Sequence, residues 1–288
     1  MMIIRSFFKL LFLVLVIACS PDKSNDSESL HKSEEHPDKT YQRIVTLSPH
    51  LAEWVYSLNA DSRLVATVEY SDYPDAAKSI PRIGNAFQID YEALAALQPD
   101  IILAWEGGNP EKIITRLEEQ GYKLIRIPNA ELFQLEKQVN QLAEILEVTE
   151  IATQKGKEYM ENLLQLKNQF SELSPINIFY QISTQPIFTI AGNHNISEML
   201  TICGGSNIFR DVDNLSAPIN PESILANNPD VILTTKDIHQ EVIEQWDGLI
   251  DEKNILAISA DEVVRSTFRM AEGAENICQA LDQWRQQK

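Results

Sequence analysis

Apolar positions in this chain fall into two alternating registers. Short unbroken apolar runs read as buried strands: Arg43–Leu47, Leu64–Val68, Ile101–Leu103, Lys123–Ile127, Asn177–Tyr180, Val231–Leu233 and Ile255–Ile258. Stretches with apolar residues three and four apart read as helices: Leu51–Leu58, Pro110–Gln120, Leu132–Leu146, Ile196–Cys203, Gln240–Trp246 and a terminal helix over Thr267–Gln287. Proline at the start of the second helix and Gly121 at its end mark its limits, and Gly204-Gly205 reads as the stop of the Ile196–Cys203 helix. Strands alternating with helices predict an α/β fold with largely parallel sheets. One segment is written twice: Tyr91-Glu-Ala-Leu-Ala-Ala-Leu-Gln-Pro-Asp-Ile-Ile-Leu-Ala-Trp105 returns as Pro221-Glu-Ser-Ile-Leu-Ala-Asn-Asn-Pro-Asp-Val-Ile-Leu-Thr-Thr235. In both copies Asp90 or Asn220 reads as an N-cap, a glutamate sits in the first turn, and Pro-Asp stops the helix ahead of a strand. The duplication predicts two lobes of like design. The uninterrupted helical pattern from Thr149 to Leu173, with Tyr159, Leu163, Leu166, Phe170 and Leu173 on one stripe, predicts a single long helix joining them.

The start of the chain follows a different rule. Arg5 and Lys9 precede the apolar run Leu10–Ile17, too short to span a bilayer as a mature helix, so residues 1–18 read as a signal peptide. Val16-Ile-Ala-Cys19-Ser resembles a bacterial lipobox with Cys19 as the acylated residue. Residues 19–40 are then the lipidated cysteine and a polar tether with too little apolar content to order itself, reaching roughly 25 Å. The body divides at this level into a lobe over 41–148, an inter-lobe helix over 149–173 and a second lobe over 174–288.

Charge narrows the partners. The chain carries 24 basic and 42 acidic side chains, a net −18, and removing Arg5 and Lys9 with the leader takes it to about −20. Nucleic acid is not expected, since its phosphates need a Lys/Arg footprint. A soluble, self-repelling monomer fits this charge. Export leaves Cys203 and Cys278 in an oxidising compartment, either bridged to each other or present as buried thiols. No nucleophile elbow, zinc-protease helix or P-loop occurs, and no enzyme is expected.

In open parallel sheets ligands bind beyond the carboxyl ends of the strands. With two such lobes the crevice is the cleft between them, and the residues after the strands are the candidates: His50, Tyr70, Trp105, Phe188 and the segment from Asp261 to Arg265. Three aromatics suit a large, flat, partly apolar ligand. Taken alone, Asp261 and Arg265 read as an ordinary i, i+4 ion pair.

Five segments carry a resemblance: Val45-Thr-Leu-Ser-Pro49, Tyr70-Ser-Asp-Tyr-Pro74, Leu97-Gln-Pro-Asp-Ile101, Ala104-Trp105 with Gly107-Gly-Asn109, and Cys203-Gly-Gly-Ser-Asn-Ile-Phe209. Together they are similar to the periplasmic cobalamin-binding proteins of the BtuF type, the substrate-binding components of ABC importers, over nearly the whole mature chain. The resemblance implies the helical-backbone periplasmic binding protein architecture, two α/β lobes joined by one helix with little hinge motion, and a disulfide between Cys203 and Cys278. It also implies a corrin-stacking role for Tyr70, cleft aromatics at Trp105 and Phe188, contacts to corrin amides from Asp261 and Arg265, and docking of Glu92 and Glu222 on arginines of the membrane subunits. Two tryptophans of the family pattern are replaced by Ala86 and Ser216, and Phe87 stands beside the first as a partial substitute. The cargo expected is cobalamin, carried as transported ligand rather than cofactor, with haem or a ferric siderophore as the alternative. Direct zinc or manganese capture through His50 and His194 is a further alternative. The resulting expectation is a lipoprotein of the periplasm or cell surface.

Overall fold

The computed structural model describes residues 40–288. The leader, Cys19 and the tether up to residue 39 lie outside the described residues. Among those described, no helix is long and apolar enough to cross a membrane.

The first lobe is built from β1 (Ile44–Thr46), α1 (Pro49–Ser57), β2 (Leu64–Ala66), a hairpin of β3 (Gly84–Asn85) and β4 (Gln88–Ile89), α2 (Tyr91–Leu97), β5 (Ile101–Trp105), α3 (Glu111–Glu119), β6 (Leu124–Ile127) and α4 (Leu135–Leu146). Helix α5 (Thr149–Phe170) follows. The second lobe contains β7 (Ile176–Tyr180), β8 (Ser183–Thr184), β9 (Ile187–Ile190), α6 (Asn195–Ile202), β10 (Gly205–Asn207), β11 (Ser216–Pro218), α7 (Pro221–Ala226), β12 (Val231–Thr235), α8 (His239–Gln245), β13 (Ile255–Ile258), α9 (Ala260–Val264) and α10 (Met270–Gln286).

Each lobe holds a four-stranded parallel sheet, ordered β2-β1-β5-β6 and β10-β7-β12-β13. The orders superimpose term by term: β1 stands where β7 stands, β5 where β12 stands and β6 where β13 stands. The duplicated segment supplies the α2–β5 and α7–β12 units. Asp90 caps α2 by accepting from the amides of Glu92 and Ala93, and Asn220 caps α7 by accepting from Ser223. Both helices end on a left-handed residue ahead of the proline, Gln98 at φ 46° and Asn228 at φ 45°. The proline excludes right-handed helix from that residue, as the sequence predicts, but the chain escapes to the left-handed region rather than to an extended one. The aspartate after the proline has a further task. Asp100 accepts from the amides of Gln42 and Arg43 at 2.8 and 3.0 Å, and Asp230 accepts from the amide of Asn177 at 3.0 Å. Each repeat therefore clasps the entry of its own central strand, β1 or β7.

A continuous apolar core runs from α1 and α4 through the Tyr159–Leu163–Leu166–Phe170 stripe of α5 into α6 and α10. Smaller clusters lie under α2 with α3 and under α7 with α8. Cys203 and Cys278 form a disulfide that ties the end of α6 to α10. Several predicted boundaries move. The long helix expected to reach Leu173 ends at Phe170, leaving Leu173 beyond it and exposed, and the terminal helix expected from Thr267 begins at Met270. The helix expected from Leu132 begins at Leu135, because the Leu132 amide donates to the Glu198 carboxylate and its carbonyl accepts from the Tyr159 hydroxyl. Gly205 is not part of a helix stop: Gly204 alone takes the left-handed turn, and Gly205 opens β10 because a side chain there would strike Ile178 at 2.5 Å.

Candidate functional site

The carboxyl ends of the two parallel sheets meet at Arg265. This residue follows α9, just beyond β13, and its side chain crosses to the first lobe. Its Nη1 donates to Glu53 at 2.9 Å and to Asp72 at 3.0 Å, and its Nη2 donates to the Tyr70 carbonyl at 3.1 Å and lies 3.0 Å from Asp261. The i, i+4 pair of Asp261 and Arg265 is thus present, but it is one of four acceptors on a single guanidinium. Burial works against the Arg265 charge, and the hydrogen bonds from Glu53 and Asp72 outweigh it, so its pKa is held above the ordinary arginine value. Three hydrogen bonds and the charge contact with Asp261 occupy both terminal nitrogens, so the Nε–H is the donor most open to a ligand.

The loop after β2 carries Tyr70, whose ring is open, 75% exposed. Its backbone sits at φ +65°, a region that costs a non-glycine residue about 1 kcal/mol and is held only where surroundings impose it. The surroundings are explicit. Below the loop a buried hydroxyl chain runs from Thr46 to Thr67 at 2.8 Å and on to Ser71 at 2.7 Å. From the side Arg82 donates to the Ser71 carbonyl at 2.6 Å, and from the opposite lobe Arg265 holds the Tyr70 carbonyl.

The hairpin β3–β4 presents Phe87, 70% exposed, on a turn that needs Gly84: at φ +118° a side chain there would collide with the Gln88 carbonyl at 2.1 Å. Asn109 ties this turn to the end of β5. Its Nδ2 donates to Ala86 and to Leu47, both at 2.9 Å, while its Oδ1 accepts from the Trp105 amide at 2.6 Å. Trp105 lies half-buried with its indole against Gly108, where an added Cβ would fall 1.9 Å from the ring. The edge of His50 meets Trp105 at a centroid distance of 5.3 Å and Trp54 at 6.2 Å.

His50 lies in the first turn of α1 and is 6% exposed. Its Nδ1 pairs with the Ser48 hydroxyl at 3.0 Å, whereas its Nε2 and the neighbouring Trp105 Nε1 are buried without a hydrogen-bond partner. Burial first, and the Arg265 charge second, push the His50 pKa down to about 3, so the ring is neutral at physiological pH. His194 is the N-cap of α6, its Nδ1 accepting from the Ile196 amide at 3.2 Å, and burial lowers its pKa as well. Among the described residues no group of His, Cys, Asp or Glu side chains is placed to hold a metal ion.

The structure therefore brings Tyr70, Asp261 and Arg265 together, and His50 with Trp105. Phe188 lies within β9, half-buried and paired across the antiparallel β8–β9–β11 sheet with Ser183 and Pro218; among the described residues it makes no ring contact with Tyr70, Phe87 or Trp105. Ala86 is half-buried in the hairpin turn and Ser216 is exposed at the start of β11. Glu92 and Glu222 are exposed in the first turns of α2 and α7.

Several residues at this junction were not legible as site residues. Glu53, 2% exposed, accepts from Arg265 and, through both oxygens, from Arg269 at 3.0 and 2.8 Å. Arg269 stacks over the Tyr73 ring at 3.9 Å. Around them the lobes are joined by direct hydrogen bonds: Trp54 Nε1 to the Ser266 carbonyl at 2.7 Å, Asn195 to the Ala130 carbonyl at 2.8 Å, and the Leu132 amide to Glu198 at 3.2 Å. The signal available in the sequence was Glu53 itself, a lone charge in the apolar run from Leu51 to Tyr56, but nothing local names a partner so far along the chain.

Comparison with known proteins agrees with this fold. The sequence profile of a family described as periplasmic binding protein matches residues 44–255. A vitamin B12-binding protein of Vibrio cholerae serotype O1 is 30% identical over 245 residues, covering 83% of this chain and 89% of the relative. The crystal structure of the periplasmic vitamin B12-binding protein BtuF of Vibrio cholerae aligns with a TM-score of 0.76 at 29% identity, over 85% of this chain and 98% of that one. The periplasmic heme-binding protein RhuT from Roseiflexus sp. RS-1 aligns with a TM-score of 0.75 at 18% identity over 84% and 98%, a likeness of fold alone.

Proposed function

Since the chain belongs to the periplasmic binding protein family, and is a binding protein rather than an enzyme, we propose that it captures a cobalamin-type corrinoid at the junction of its lobes and delivers it to the membrane subunits of an ABC importer. The observation that carries this reading is Tyr70: an open aromatic ring on a strained, heavily braced loop where the carboxyl ends of both sheets meet. Strain of this kind is retained where it serves a site. Tyr70 offers a flat stacking surface, Trp105 and Phe87 continue the wall on the first lobe, and Phe188 supplies the aromatic of the second. Asp261, with its side chain half exposed, and the Nε–H of Arg265 offer an acceptor and a donor to the amides at the rim of a corrin. His50 is a buried neutral support for Trp105, and its unpaired Nε2 is a candidate polar contact. Such cargo is transported unchanged and is not a cofactor.

Glu92 and Glu222, exposed at equivalent places on the two lobes, suit a partner with twofold symmetry bearing a cation at each matching position. In this reading the protein is an exported monomer of the periplasm or cell surface, tethered through an acylated Cys19.

Haem or a ferric siderophore is the second reading. It is favoured by Ala86 and Ser216, which thin the aromatic wall relative to the cobalamin-binding pattern. Calorimetric titration of the purified protein with cyanocobalamin, haemin, a ferric siderophore and zinc separates these. Nanomolar cyanocobalamin binding, about −12 kcal/mol net, is expected. Tight haemin or siderophore binding with no response to cyanocobalamin would refute the corrinoid assignment.

A further inference from the structure

We propose that Glu53 is a positioning residue of this site: from inside the lobe junction it holds Arg265 and Arg269 against the Tyr70–Pro74 loop and so fixes where the Tyr70 ring stands. The inference rests on the reading that Tyr70 belongs to the ligand wall. Glu53 lies on α1 in the first lobe, yet both of its partners come from the second, and its side chain is withdrawn from solvent. A carboxylate so buried persists only when its oxygens are matched, and here each is matched by an arginine.

The two arginines then reach past Glu53 to the same loop. Arg265 grips it at the Tyr70 carbonyl and at Asp72, and Arg269 covers the Tyr73 ring. The loop is thus gripped at three of its residues by two side chains that share one carboxylate. Asp261 is the remaining charge facing this group, and it neutralises Arg265 from the second-lobe side. Without Glu53, the junction would hold two like charges side by side with one fewer anion between them, and the simplest relief is for Arg265 and Arg269 to part. The Tyr70 carbonyl would then lose its partner, and with it the brace on a left-handed residue. Glu53 need not touch the ligand to govern its affinity.

The test uses the full chain and three measurements. Glu53→Gln keeps the shape and removes the charge, Glu53→Asp keeps the charge and shortens the reach, and Tyr70→Ala removes the ring. Cyanocobalamin affinity is expected to fall at least tenfold in Glu53→Gln, through faster dissociation, and to be partly recovered in Glu53→Asp. Placed on Tyr70→Ala, Glu53→Gln should cost less than a further twofold, because both changes act through one ring. In the ligand-free protein, amides of residues 69–75 and 261–269 should exchange with deuterium at least tenfold faster in Glu53→Gln, with β5 and β12 unchanged. Should Glu53→Gln not fold, Arg269→Gln strips the same loop of one grip and is expected to show the same local exchange. Unchanged affinity, independent losses in the double variant, or a uniform rise in exchange across the chain would each overturn the proposal. Wild-type protein that ignores cyanocobalamin would sink the corrinoid reading instead, and the exchange comparison alone would then decide the role of Glu53.

Discussion

Removing the Cys203–Cys278 bridge offers the most quantitative test of how the second lobe is held. The two cysteines are fully buried and lie 75 residues apart in sequence, so the bond closes a long loop of the unfolded chain. In the chain-entropy model such a loop loses about 15 cal/mol/K, or about 4.5 kcal/mol at 25 °C. A domain of about 250 residues unfolds with an entropy near 0.5 kcal/mol/K, so the melting temperature should drop by roughly 9 °C. The perturbation is best made twice, as Cys203→Ala with Cys278→Ala and as wild type under reductant. The alanine pair adds a small cavity beside α10, and the reduced protein does not, so the two bracket the constraint itself. Scanning calorimetry provides the readout, with cyanocobalamin titration beside it. The bridge joins α6 to α10, neither of which carries an aromatic of the proposed ligand wall, so affinity should stay within about threefold. A fall of less than about 3 °C in both forms would refute the argument, since the unfolded chain would then gain nothing from being freed.

Three further outcomes are expected. Gly108→Ala should push the Trp105 indole off its bed, because the new carbon would sit 1.9 Å from the ring where contact needs about 3.5 Å; a tenfold loss of cyanocobalamin affinity with a shifted tryptophan emission is expected, and unchanged emission would contradict it. Exchanging Glu92 and Glu222 for lysine, both exposed, should leave ligand affinity intact and abolish importer-dependent uptake; normal uptake would end the docking role. His50 has a folded pKa of about 3 against 6.5 unfolded, so the unfolded chain binds the extra proton and stability falls as pH drops from about 6.5 towards 3, by roughly 1.4 kcal/mol per unit. The slope of unfolding free energy against pH in that window should be shallower in His50→Gln by about that amount, and equal slopes would show that the ring is protonated in place.

What was legible in the sequence is whatever neighbours in the chain decide. The caps at Asp90 and Asn220, the α5 stripe from Tyr159 to Phe170 and the central buried strands depend on spacing within a few residues, and they appear where their patterns fall; Leu173 falls beyond the helix end, and β6 is only half-buried. The duplicated segment went further, since its recurrence implied a recurrence of topology, and the two strand orders match. What stayed hidden depends on residues brought together from opposite ends. Asp100 and Asp230 read as helix stops, but their carboxylates serve amides more than fifty residues upstream. Arg265 read as the partner of Asp261, four residues away, while Glu53, 212 residues away, gave no sign of being its partner. Helix α4 begins late for the same reason: its predicted first residue is spoken for by Glu198 and Tyr159. Phe188 shows a smaller shift: read as following a strand, it lies within β9, paired with Ser183 and Pro218.

Three of the hydrogen bonds that join the lobes pair a side chain with a main-chain group. Ser266 and Ala130 contribute their carbonyls and Leu132 its amide, whereas Trp54, Asn195 and Glu198 reach them with side chains. Sequence drift at 130, 132 and 266 therefore leaves the joining atoms in place, because every residue type except proline at 132 brings the same ones. Drift at 54 or 198 does not, since it strands a buried backbone group, and drift at 195 leaves the Ala130 carbonyl to the Ser266 hydroxyl alone. The cost of substitution at this boundary should accordingly be lopsided: at 130, 132 and 266, all buried, it is that of repacking the side chain, whereas at 54, 195 and 198 the lost hydrogen bond is added to it.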